Sequence, residues 1–365
     1  MIRLLRTLVL ILLICAALLY ALLQQLAWRP APREALPVAC TREAPPLLPG
    51  QVLKVMTWNV QYLAGKRYAF WYDLVNGSGP EQRPSAEDLA YNLDEVARVI
   101  RAEAPDVVLL QELDKGATAT DHQDQLALLR ERLTDLYPCA TQAYDWQGRF
   151  VPYPSVLGSV GRQLATLSRF RIGQAERVQL AERPAPFWQT PFQPRRALLT
   201  AYLPQQGGGQ VAVINTHLDA YSAADDTQLR QVQTLSKTVD KLEAQGTAWL
   251  VGGDLNLLPL GQQRRLPNEQ RDRYSPASDL HLLWDTYPMI PSNSEAAGAD
   301  RAAWLTHFPN DPSTHAPDRT LDYLVHSPRL QRVEGRVRQE DTLSISDHLP
   351  VVGRFLLPAP PAVNE

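Results

Sequence analysis

The sequence predicts an α/β fold of the α+β type, in which two β-sheets pack together with helices outside them, preceded by a membrane-spanning helix. Two observations support this prediction. Short β-rich runs follow one another with few amphipathic stretches between them, unlike the regular alternation of strand and helix in a doubly wound sheet. The apolar share of 45% and the charged share of 21% over 365 residues are normal for a globular protein with a substantial core.

The first element is an apolar segment. After Arg3 and Arg6, residues 8–23 carry no charge, and residues 26–28 extend a run that is about long enough to cross a bilayer. Basic residues before such a run keep the N-terminus in the cytoplasm. We therefore expect residues 1–28 to be a signal-anchor in the inner (cytoplasmic) membrane, with the rest of this single-pass protein on the periplasmic, extracytoplasmic side. A cleaved signal peptide also fits, and it would export the rest of the chain as well.

Residues 29–50 follow this segment and contain six prolines. Such a composition resists helix and strand and predicts a semi-rigid linker, with one domain over residues 51–358. Cys40 in the linker and Cys139 in the domain could form a disulfide in an oxidising compartment, or they could remain free thiols. The sequence leaves both alternatives open.

The elements of the domain follow in chain order. β-rich runs lie at residues 52–58, 106–111, 164–168, 197–203, 211–216, 248–253, 321–325 and 350–356. Helical stretches lie at residues 85–103, 121–136 and 223–245. Apolar side chains recur at helical spacing in the first of these, and Pro105 ends it before the next strand. Two long intervals, residues 64–84 and 259–320, are expected to be functional loops.

The charge balance bears on nucleic-acid binding. Only four of the 36 basic and one of the 39 acidic residues precede residue 41, so the remainder carries a net charge of −6. A nucleic-acid grip usually shows a basic surplus, so the composition disfavours this class of partner. Arginines at 195–196, 264–265, 271 and 273 could still line a local groove, or they could be solvated loop residues.

Polar residues mark one end of six apolar strands. They are Asn59, Glu112, His217, Asp254 (with Asn256 two positions on), Asp322, and the pair Asp347 and His348. Each alone is compatible with a turn or a structural role. Together they are chemically coherent, because acids and amides hold a hard cation such as Mg²⁺ and imidazoles move protons or contact anionic oxygens. We therefore predict one site where these strand ends meet.

These residues lie in recognisable motifs: T-W-N-V at 57–60, L-L-Q-E-L at 109–113, I-N-T-H-L-D-A at 214–220, V-G-G-D-L-N at 251–256, L-D-Y-L at 321–324 and S-D-H-L-P-V at 346–351. In this order they resemble the endonuclease/exonuclease/phosphatase superfamily, the deoxyribonuclease I-like phosphoesterases. The resemblance implies a four-layer sandwich, two β-sheets between layers of helices, with the site at one rim. It also implies a metal-dependent phosphoric ester hydrolase that uses Mg²⁺, with Mn²⁺ as an alternative.

For the metal and the substrate, the resemblance implies specific residues. Glu112 would be the principal metal ligand, with Asn59 at the metal and phosphate site and Asp347 on the metal side. The segment at 161–169 matches the family only loosely, so Arg162 and Gln163 are weaker candidates for phosphate contacts. Gln61 departs from the acid that abasic-site endonucleases carry at this position.

For catalysis, the resemblance implies that His217 contacts the phosphate and stabilises or protonates the departing oxygen. Asp254 would position or deprotonate the attacking water, and Asn256 would orient the phosphate as a catalytic and substrate-binding residue. Asp322 would pair with His348. Whether His348 or Asp254 is the base stays open, and the presence of His217 favours the deoxyribonuclease, sphingomyelinase and 5-phosphatase branches.

These features predict a membrane-anchored, Mg²⁺-dependent phosphodiesterase, acting on a phospholipid or its head group as a sphingomyelinase does. The alternative is an extracytoplasmic deoxyribonuclease-like endonuclease, so nucleic acid is expected only as a substrate. We expect a monomer that contacts the membrane through its N-terminal helix. The aromatic residues at 68–72 could lie at a lipid interface, or they could belong to a packed loop.

Overall fold

The N-terminal helix stands apart from the rest of the chain. The computed structural model describes residues 2–70, 73–74, 77, 79, 83–221 and 225–358. Helix α1 (Ile2–Leu26) is exposed over almost its whole length, and its part Ile2–Leu22 is long and apolar enough to cross a membrane. A signal sequence has the same properties. The predicted apolar helix is therefore present. A helix suits a membrane because it satisfies its backbone polar groups internally, where lipid offers them no partner.

Two seven-stranded sheets form the centre of the described residues. In chain order the strands are β1 (Arg33–Leu36), β2 (Val38–Cys40), β3 (Val52–Asn59), β4 (Val107–Asp114), β5 (Cys139–Val151), β6 (Gly158–Ser168), β7 (Gln174–Gln179), β8 (Ala197–Pro204), β9 (Gln210–His217), β10 (Ala248–Asp254), β11 (Met289–Ile290), β12 (Asp322–His326), β13 (Gln331–Val337) and β14 (Val351–Leu356). One sheet has the order β13-β14-β3-β4-β6-β5-β2, and the other has the order β1-β7-β8-β9-β10-β12-β11.

Helices cover the outer faces of both sheets. They are α2 (Ala86–Glu103) and α3 (Gln125–Arg132) on one sheet, and α4 (Thr227–Ala244) and α6 (His281–Trp284) on the other. Two further short helices, α5 (Asn268–Arg271) and α7 (Asn293–Ala297), lie in the segment between β10 and β12. The sequence sets their ends locally. The Ser85 side chain caps α2 by accepting a hydrogen bond from the backbone N–H of Asp88, and α2 ends at Ala104 in the left-handed conformation, before Pro105.

Three apolar layers hold this arrangement together. Leu53, Leu109, Val213, Leu250 and Leu324 belong to the cluster between the two sheets. A second cluster joins the outer face of the first sheet to α2 and α3, and a third joins the other sheet to α4 and α6. Helix, sheet, sheet and helix therefore form the predicted four-layer sandwich.

The prediction for residues 29–50 as a segment without helix or strand is wrong. β1 and β2 lie within it, at the edges of the two sheets, and Pro37 falls between them. Edge strands tolerate neighbouring prolines because one side of an edge strand has no partner that needs its N–H groups. Cys40 and Cys139 face each other across the β2–β5 pair and form a disulfide, so this segment belongs to the sheets rather than forming a spacer.

The other predicted elements are present with shifted ends. All eight predicted strands and all three helices exist, while β5, β7, β11 and β13, like β1 and β2, are additional. The interval 259–320 contains the short helices α5, α6 and α7 besides its loops.

Candidate active site

The polar strand ends meet at one rim of the sandwich. Asp254 at the end of β10 lies opposite His217 at the end of β9 and Asp322 at the start of β12. Asn59 ends β3, and His348 lies just before β14, which pairs with β3. Parallel strands bring their carboxyl ends to the same edge, and antiparallel partners bring their starts there.

Asp254 is the central carboxylate of this rim. Its Oδ2 lies 3.3 Å from His217 Nε2 and 3.6 Å from His348 Nε2, and it accepts a hydrogen bond of 3.2 Å from Asn59 Nδ2. Its Oδ1 accepts a hydrogen bond of 3.0 Å from the backbone N–H of Asn256. Burial raises the pKa of Asp254 to about 7, although His348 opposes this shift. The carboxyl group is thus poised between its two forms near neutral pH.

His348 is held in one orientation. Its Nδ1 lies 2.8 Å from Asp322 Oδ2, its carbonyl accepts a hydrogen bond from Trp58 Nε1, and its backbone N–H donates to Ser346 Oγ. Burial alone lowers the pKa of His348, but the neighbouring carboxylates, first Asp322 and then Asp254, raise it well above its usual value. This imidazole is therefore charged at neutral pH, and its Nε2–H points toward Asp254.

His217 has the opposite protonation behaviour. Burial lowers its pKa well below the usual value, and the charges of Arg196, Arg162 and His348 lower it further. Its Nδ1 lies 3.8 Å from Glu112 Oε1 and makes no hydrogen bond among the described residues. One rim therefore holds a neutral and a charged imidazole on either side of Asp254.

Glu112 is a largely buried carboxylate, with 12% of its side chain exposed and little opposite charge near it. It adopts a φ of 58° where the pairing of β4 with β6 shifts register, so the chain turns this side chain toward the rim. The nearest cation, Arg162 Nη1, is 4.0 Å away. Burial raises the pKa of Glu112 to about 8, with Arg162 counteracting part of the shift.

Asp347 completes an acidic group that suits a hard cation. Burial raises its pKa too, and Ser346 Oγ is 3.3 Å from its Oδ1. Asn59 Oδ1 accepts a hydrogen bond of 3.0 Å from the backbone N–H of Gln61, whose Oε1 accepts one of 3.3 Å from the backbone N–H of Asp347. Carboxylate and amide oxygens at a buried rim with few neutralising cations are the donor set that Mg²⁺ or Mn²⁺ takes. The donor atoms of Glu112, Asp347 and Asn59 are therefore of the kinds that suit the predicted metal.

Arg162 is anchored so that one of its donors stays available. Its Nε donates to Asp145 Oδ1 at 2.9 Å, and Asp145 also binds Arg196 at 2.8 Å. Its Nη2 is buried and has no hydrogen-bond partner among the described residues, as a group that awaits an anionic oxygen would. Gln163, the adjacent candidate, lies opposite Tyr144 on the neighbouring strand, and its Nε2 and Oε1 are likewise buried without a hydrogen-bond partner among the described residues.

Asn256 lies beside the site, with part of its side chain already used. Its Nδ2 donates to the carbonyl of Leu218 at 3.0 Å, and its backbone has a φ of 52°. Asp219, two residues after His217, is tied to Arg196 at 3.3 Å and to Gln231 at 3.0 Å, so it supports the site from outside.

His307 is a residue of the site that the sequence reasoning missed. Its ring centroid lies 4.6 Å from that of His348, and its Nε2 is 3.9 Å from Asp347 Oδ2. Its Nδ1 is buried without a hydrogen-bond partner among the described residues, and burial lowers its pKa well below the usual value. His307, Asp347 and His348 are close enough to share an ion, as are Asp254, Asp322 and His348. The one sequence feature that pointed to His307 was its position inside the long interval 259–320, which was expected to be a functional loop.

The described residues bear on two surface alternatives that the sequence leaves open. Arg195 and Arg196 are buried, with Arg196 bound to Asp145, so this pair does not line a basic groove. In the aromatic run, Phe70 is buried and Tyr68 hydrogen-bonds to Asp88, which favours the packed loop. Residues 71 and 72 lie outside the described residues.

Comparison with known sequences identifies the family of this chain. A profile described as Endonuclease/Exonuclease/phosphatase family matches residues 56–348, from β3 to the histidine beside Asp322. The chain belongs to this family. Its members are hydrolytic phosphoesterases that generally use divalent metals, in agreement with the donor set at the rim.

An inositol phosphosphingolipids phospholipase C of Schizosaccharomyces pombe is 28% identical over 193 residues, which is 47% of this chain and 44% of that protein. The chain thus matches less than half the length of this relative.

Solved structures show the same fold. A family protein from Beutenbergia cavernae is similar with a TM-score of 0.58 and 25% identity, over 86% of this chain and 73% of that one. The human nocturnin catalytic domain with bound sulfate has a TM-score of 0.51 and 16% identity, over 88% of this chain and 96% of that one. The second likeness concerns the fold alone.

Proposed function

We propose that the protein is a Mg²⁺-dependent phosphodiesterase that hydrolyses a membrane phospholipid or its head group. The observation that carries the proposed reaction is the rim itself, where Asp254 lies between the neutral His217 and the charged His348 and within reach of Asn59. Hydrolysis of a phosphodiester develops negative charge on several oxygens, so it needs cationic and hydrogen-bonding groups placed in advance.

The metal would be held by Glu112, with Asn59 and Asp347 beside it. When bound, it supplies positive charge to the phosphate oxygens. The raised pKa of Glu112 supports this assignment, because a nearby cation favours the ionised form that burial disfavours. Arg162 Nη2 is a further donor for the phosphate.

The remaining side chains would divide the proton transfers between them. The Asp254 carboxylate is positioned to orient an attacking water, and its contact with Asn256 holds it in place. His348, charged and fixed by Asp322, is a proton donor for the leaving oxygen or a hydrogen-bond donor to the phosphate. His217, kept neutral, contacts an anionic oxygen through one ring nitrogen while the other faces Glu112.

Three observations support a lipid substrate over DNA. The chain bears an apolar helix long enough to span a membrane, and the relative from Schizosaccharomyces pombe is named for its action on phosphosphingolipids. The net charge of −6 beyond residue 40 and the buried Arg195–Arg196 pair give little attraction for a polyanion. We place the catalytic domain on the extracytoplasmic side, because Arg3 and Arg6 precede the helix.

A substrate panel tests the proposal on the full chain in detergent micelles. β1 and β2 belong to the sheets, so removal of residues 1–40 would also remove two edge strands. We expect hydrolysis of a phospholipid and of bis-p-nitrophenyl phosphate with Mg²⁺, loss of both with a chelator, and little cleavage of plasmid DNA. Plasmid cleavage that weakens as salt rises would instead favour the endonuclease, and inactivity on both esters would contradict the proposal.

A further inference from the structure

We propose that the surface around the end of α1 docks onto the lipid bilayer that α1 spans, and that this contact holds the catalytic rim facing the membrane. The surface consists of the last residues of β5 with the turn that follows them (residues 150–157) and the loop at residues 185–192. We call it the lipid-docking surface. The docking itself is independent of the reaction, while its benefit for lipid hydrolysis rests on the proposed function.

Exposed apolar side chains concentrate at this surface. Nine large apolar residues outside α1 are exposed among those described: Leu48, Tyr91, Phe150, Leu157, Phe187, Trp188, Leu260, Val333 and Leu343. Four of them, Phe150, Leu157, Phe187 and Trp188, belong to the two segments of the lipid-docking surface. Phe187 is 67% exposed and Trp188 is 54% exposed, which is unusual for side chains that gain most from leaving water.

The two segments pack on each other. The Tyr153 hydroxyl donates to the carbonyl of Gln189 at 3.0 Å, and the Tyr153 ring lies 6.3 Å from that of Phe192. Phe187 and Trp188 meet edge to face at 5.0 Å. The exposed residues are thus carried by one supported platform.

Helix α1 enters the domain directly beside this platform. Ala27 pairs with Gly148 of β5, and the Trp28 ring packs 6.1 Å from Tyr144 and 5.0 Å from the guanidinium of Arg177. The segment that follows forms β1 and β2 and is fixed by the disulfide to β5. A domain attached in this way has little freedom to turn relative to its membrane helix.

The strand register shows which end of the sheet faces the helix. In the β5–β6 pair, Trp146 lies opposite Arg162, Gly148 opposite Val160, and Val151 opposite Gly158. Gly148, where α1 joins, therefore lies between the level of Arg162 and the turn. Because Arg162 belongs to the active site, α1 and the turn lie at the same end of the sheet as the catalytic rim.

The contact of Tyr20 with Phe187 sets the level of the membrane. The Tyr20 hydroxyl donates to the Phe187 carbonyl at 3.1 Å, and the two rings lie 5.6 Å apart. Tyr20 precedes Ala27 by seven residues, or about 10 Å along a helix, and it lies inside the apolar part Ile2–Leu22. Phe187 and Trp188 therefore reach the depth at which Tyr and Trp rings occupy the bilayer interface. This continuity with the helix identifies lipid as the occupant.

Lipid quenching of Trp188 tests the docking. Full-length protein and its Trp188→Phe variant would be placed in phosphatidylcholine nanodiscs with or without brominated acyl chains, and the difference in emission isolates Trp188. We expect loss of this emission with brominated lipid and protection from aqueous acrylamide. For a matched control, Val333→Trp in the Trp188→Phe background places a tryptophan on β13, at the opposite edge of the sheet. Acrylamide should quench the emission of this introduced tryptophan, and brominated lipid should leave it unchanged.

Two outcomes of the quenching experiment would overturn the proposal. Quenching of Trp188 by acrylamide and not by brominated lipid would mean that the surface faces water. Protection from both would mean that protein covers it.

Hydrolysis then tests the consequence. The double variant Phe187→Ser and Trp188→Ser should lose activity on phospholipid in bilayers and keep its activity on bis-p-nitrophenyl phosphate. Equal activity of this variant and the wild type on bilayers would contradict the orienting role. If the wild type hydrolyses neither ester, the proposed function fails, while the quenching result still decides the docking.

Discussion

Carboxylates that are buried or largely buried occur at both ends of the first sheet, and their surroundings differ. At the end opposite the rim, Glu103 lies 2.6 Å from Lys54 Nζ and 3.1 Å from Arg338 Nη1, and it also pairs with Arg336. Although burial raises its pKa, these cations, Lys54 foremost, bring the net shift below the ordinary value. At the rim, Glu112 has its nearest cation at 4.0 Å, and burial raises its pKa to about 8.

The difference separates a carboxylate that stabilises the fold from carboxylates that await a ligand. Both groups are removed from water, which is unfavourable unless an opposite charge compensates. Lysine and arginine side chains provide the opposite charge at Glu103, whereas the nearest arginine nitrogen is 4.0 Å from Glu112. An added cation is the simplest partner for the acidic rim, so variants at the two ends should affect different properties.

The largest expected effect is on catalysis. Glu112→Gln removes the charge that would hold the metal, so we expect kcat/KM for bis-p-nitrophenyl phosphate to fall by about a thousandfold. Glu103→Gln should leave kcat/KM within about twofold, because Glu103, at the end of α2, pairs with Lys54 at the end of β3 that lies away from the rim. Steady-state rates with Mg²⁺ check both, and circular dichroism confirms that each variant is folded. Near-normal turnover of Glu112→Gln would remove the case for its metal role.

The next effect concerns stability, where the Glu103 variant should show the larger loss and the Glu112 variant the smaller one. Glu103→Gln leaves three cations without their carboxylate, so the free energy of unfolding should fall by about 3 kcal/mol. Urea midpoints of the full chain in micelles measure this loss. The matched control is Glu334→Gln, which breaks exposed pairs with Arg354 at 3.3 Å and Arg336 at 3.9 Å. This control should change stability by less than about 1 kcal/mol. An equal loss of stability in Glu103→Gln and Glu334→Gln would contradict the stabilising role of the buried Glu103.

A smaller effect is the stabilisation by the metal. Mg²⁺ at ten times its dissociation constant should add about 1.4 kcal/mol to the free energy of unfolding, because it binds only the folded rim. Glu103→Gln should retain this increment, although its baseline is lower, and Glu112→Gln should lose it. Thermal melts over a range of Mg²⁺ concentrations check this prediction. A shift that survives in Glu112→Gln would place the cation elsewhere.

The sequence predicted the rim better than the edges of the fold. Asn59, His217, Asp254 and Asp322 could be located because each directly ends or begins an apolar strand, and strand ends of one sheet meet in space. The pairing of Asp322 with His348 was implied by resemblance and agrees with their 2.8 Å contact. The chemical roles of these residues stay predictions until variants are measured.

Other features depend on neighbours that are distant in the sequence. His307 reaches the rim from a long loop, and only its packing against His348 reveals it. β1 and β2 are strands because β7 and β5 offer them free edges, a condition that local composition does not record. The positive φ of Glu112 likewise follows from the register shift between β4 and β6.

The smallest expected effect is a difference in how Glu112 and Glu103, at the two ends of the first sheet, make the free energy of unfolding depend on pH. The folded pKa of Glu112 lies near 8, above its ordinary value of 4.5, so the folded metal-free protein binds a proton that the unfolded chain has released. Between these values stability falls as pH rises, by at most about 1.4 kcal/mol per pH unit for one proton. Glu103 has the opposite sign, because its lowered pKa gives stability that is lost only as pH falls below about 4.5.

Urea unfolding in a chelator between pH 5.5 and 7.5 isolates this difference. Asp254 and His348 also have raised pKa values and add to the fall, so the comparison must be made between the wild type and Glu112→Gln. We expect a shallower slope for Glu112→Gln and an unchanged slope for Glu103→Gln. Excess Mg²⁺ should flatten the wild-type slope, since a cation at the rim favours the ionised carboxylates. If the wild type and Glu112→Gln lose stability in parallel without metal, Glu112 is not the uncompensated acid that the rim geometry indicates.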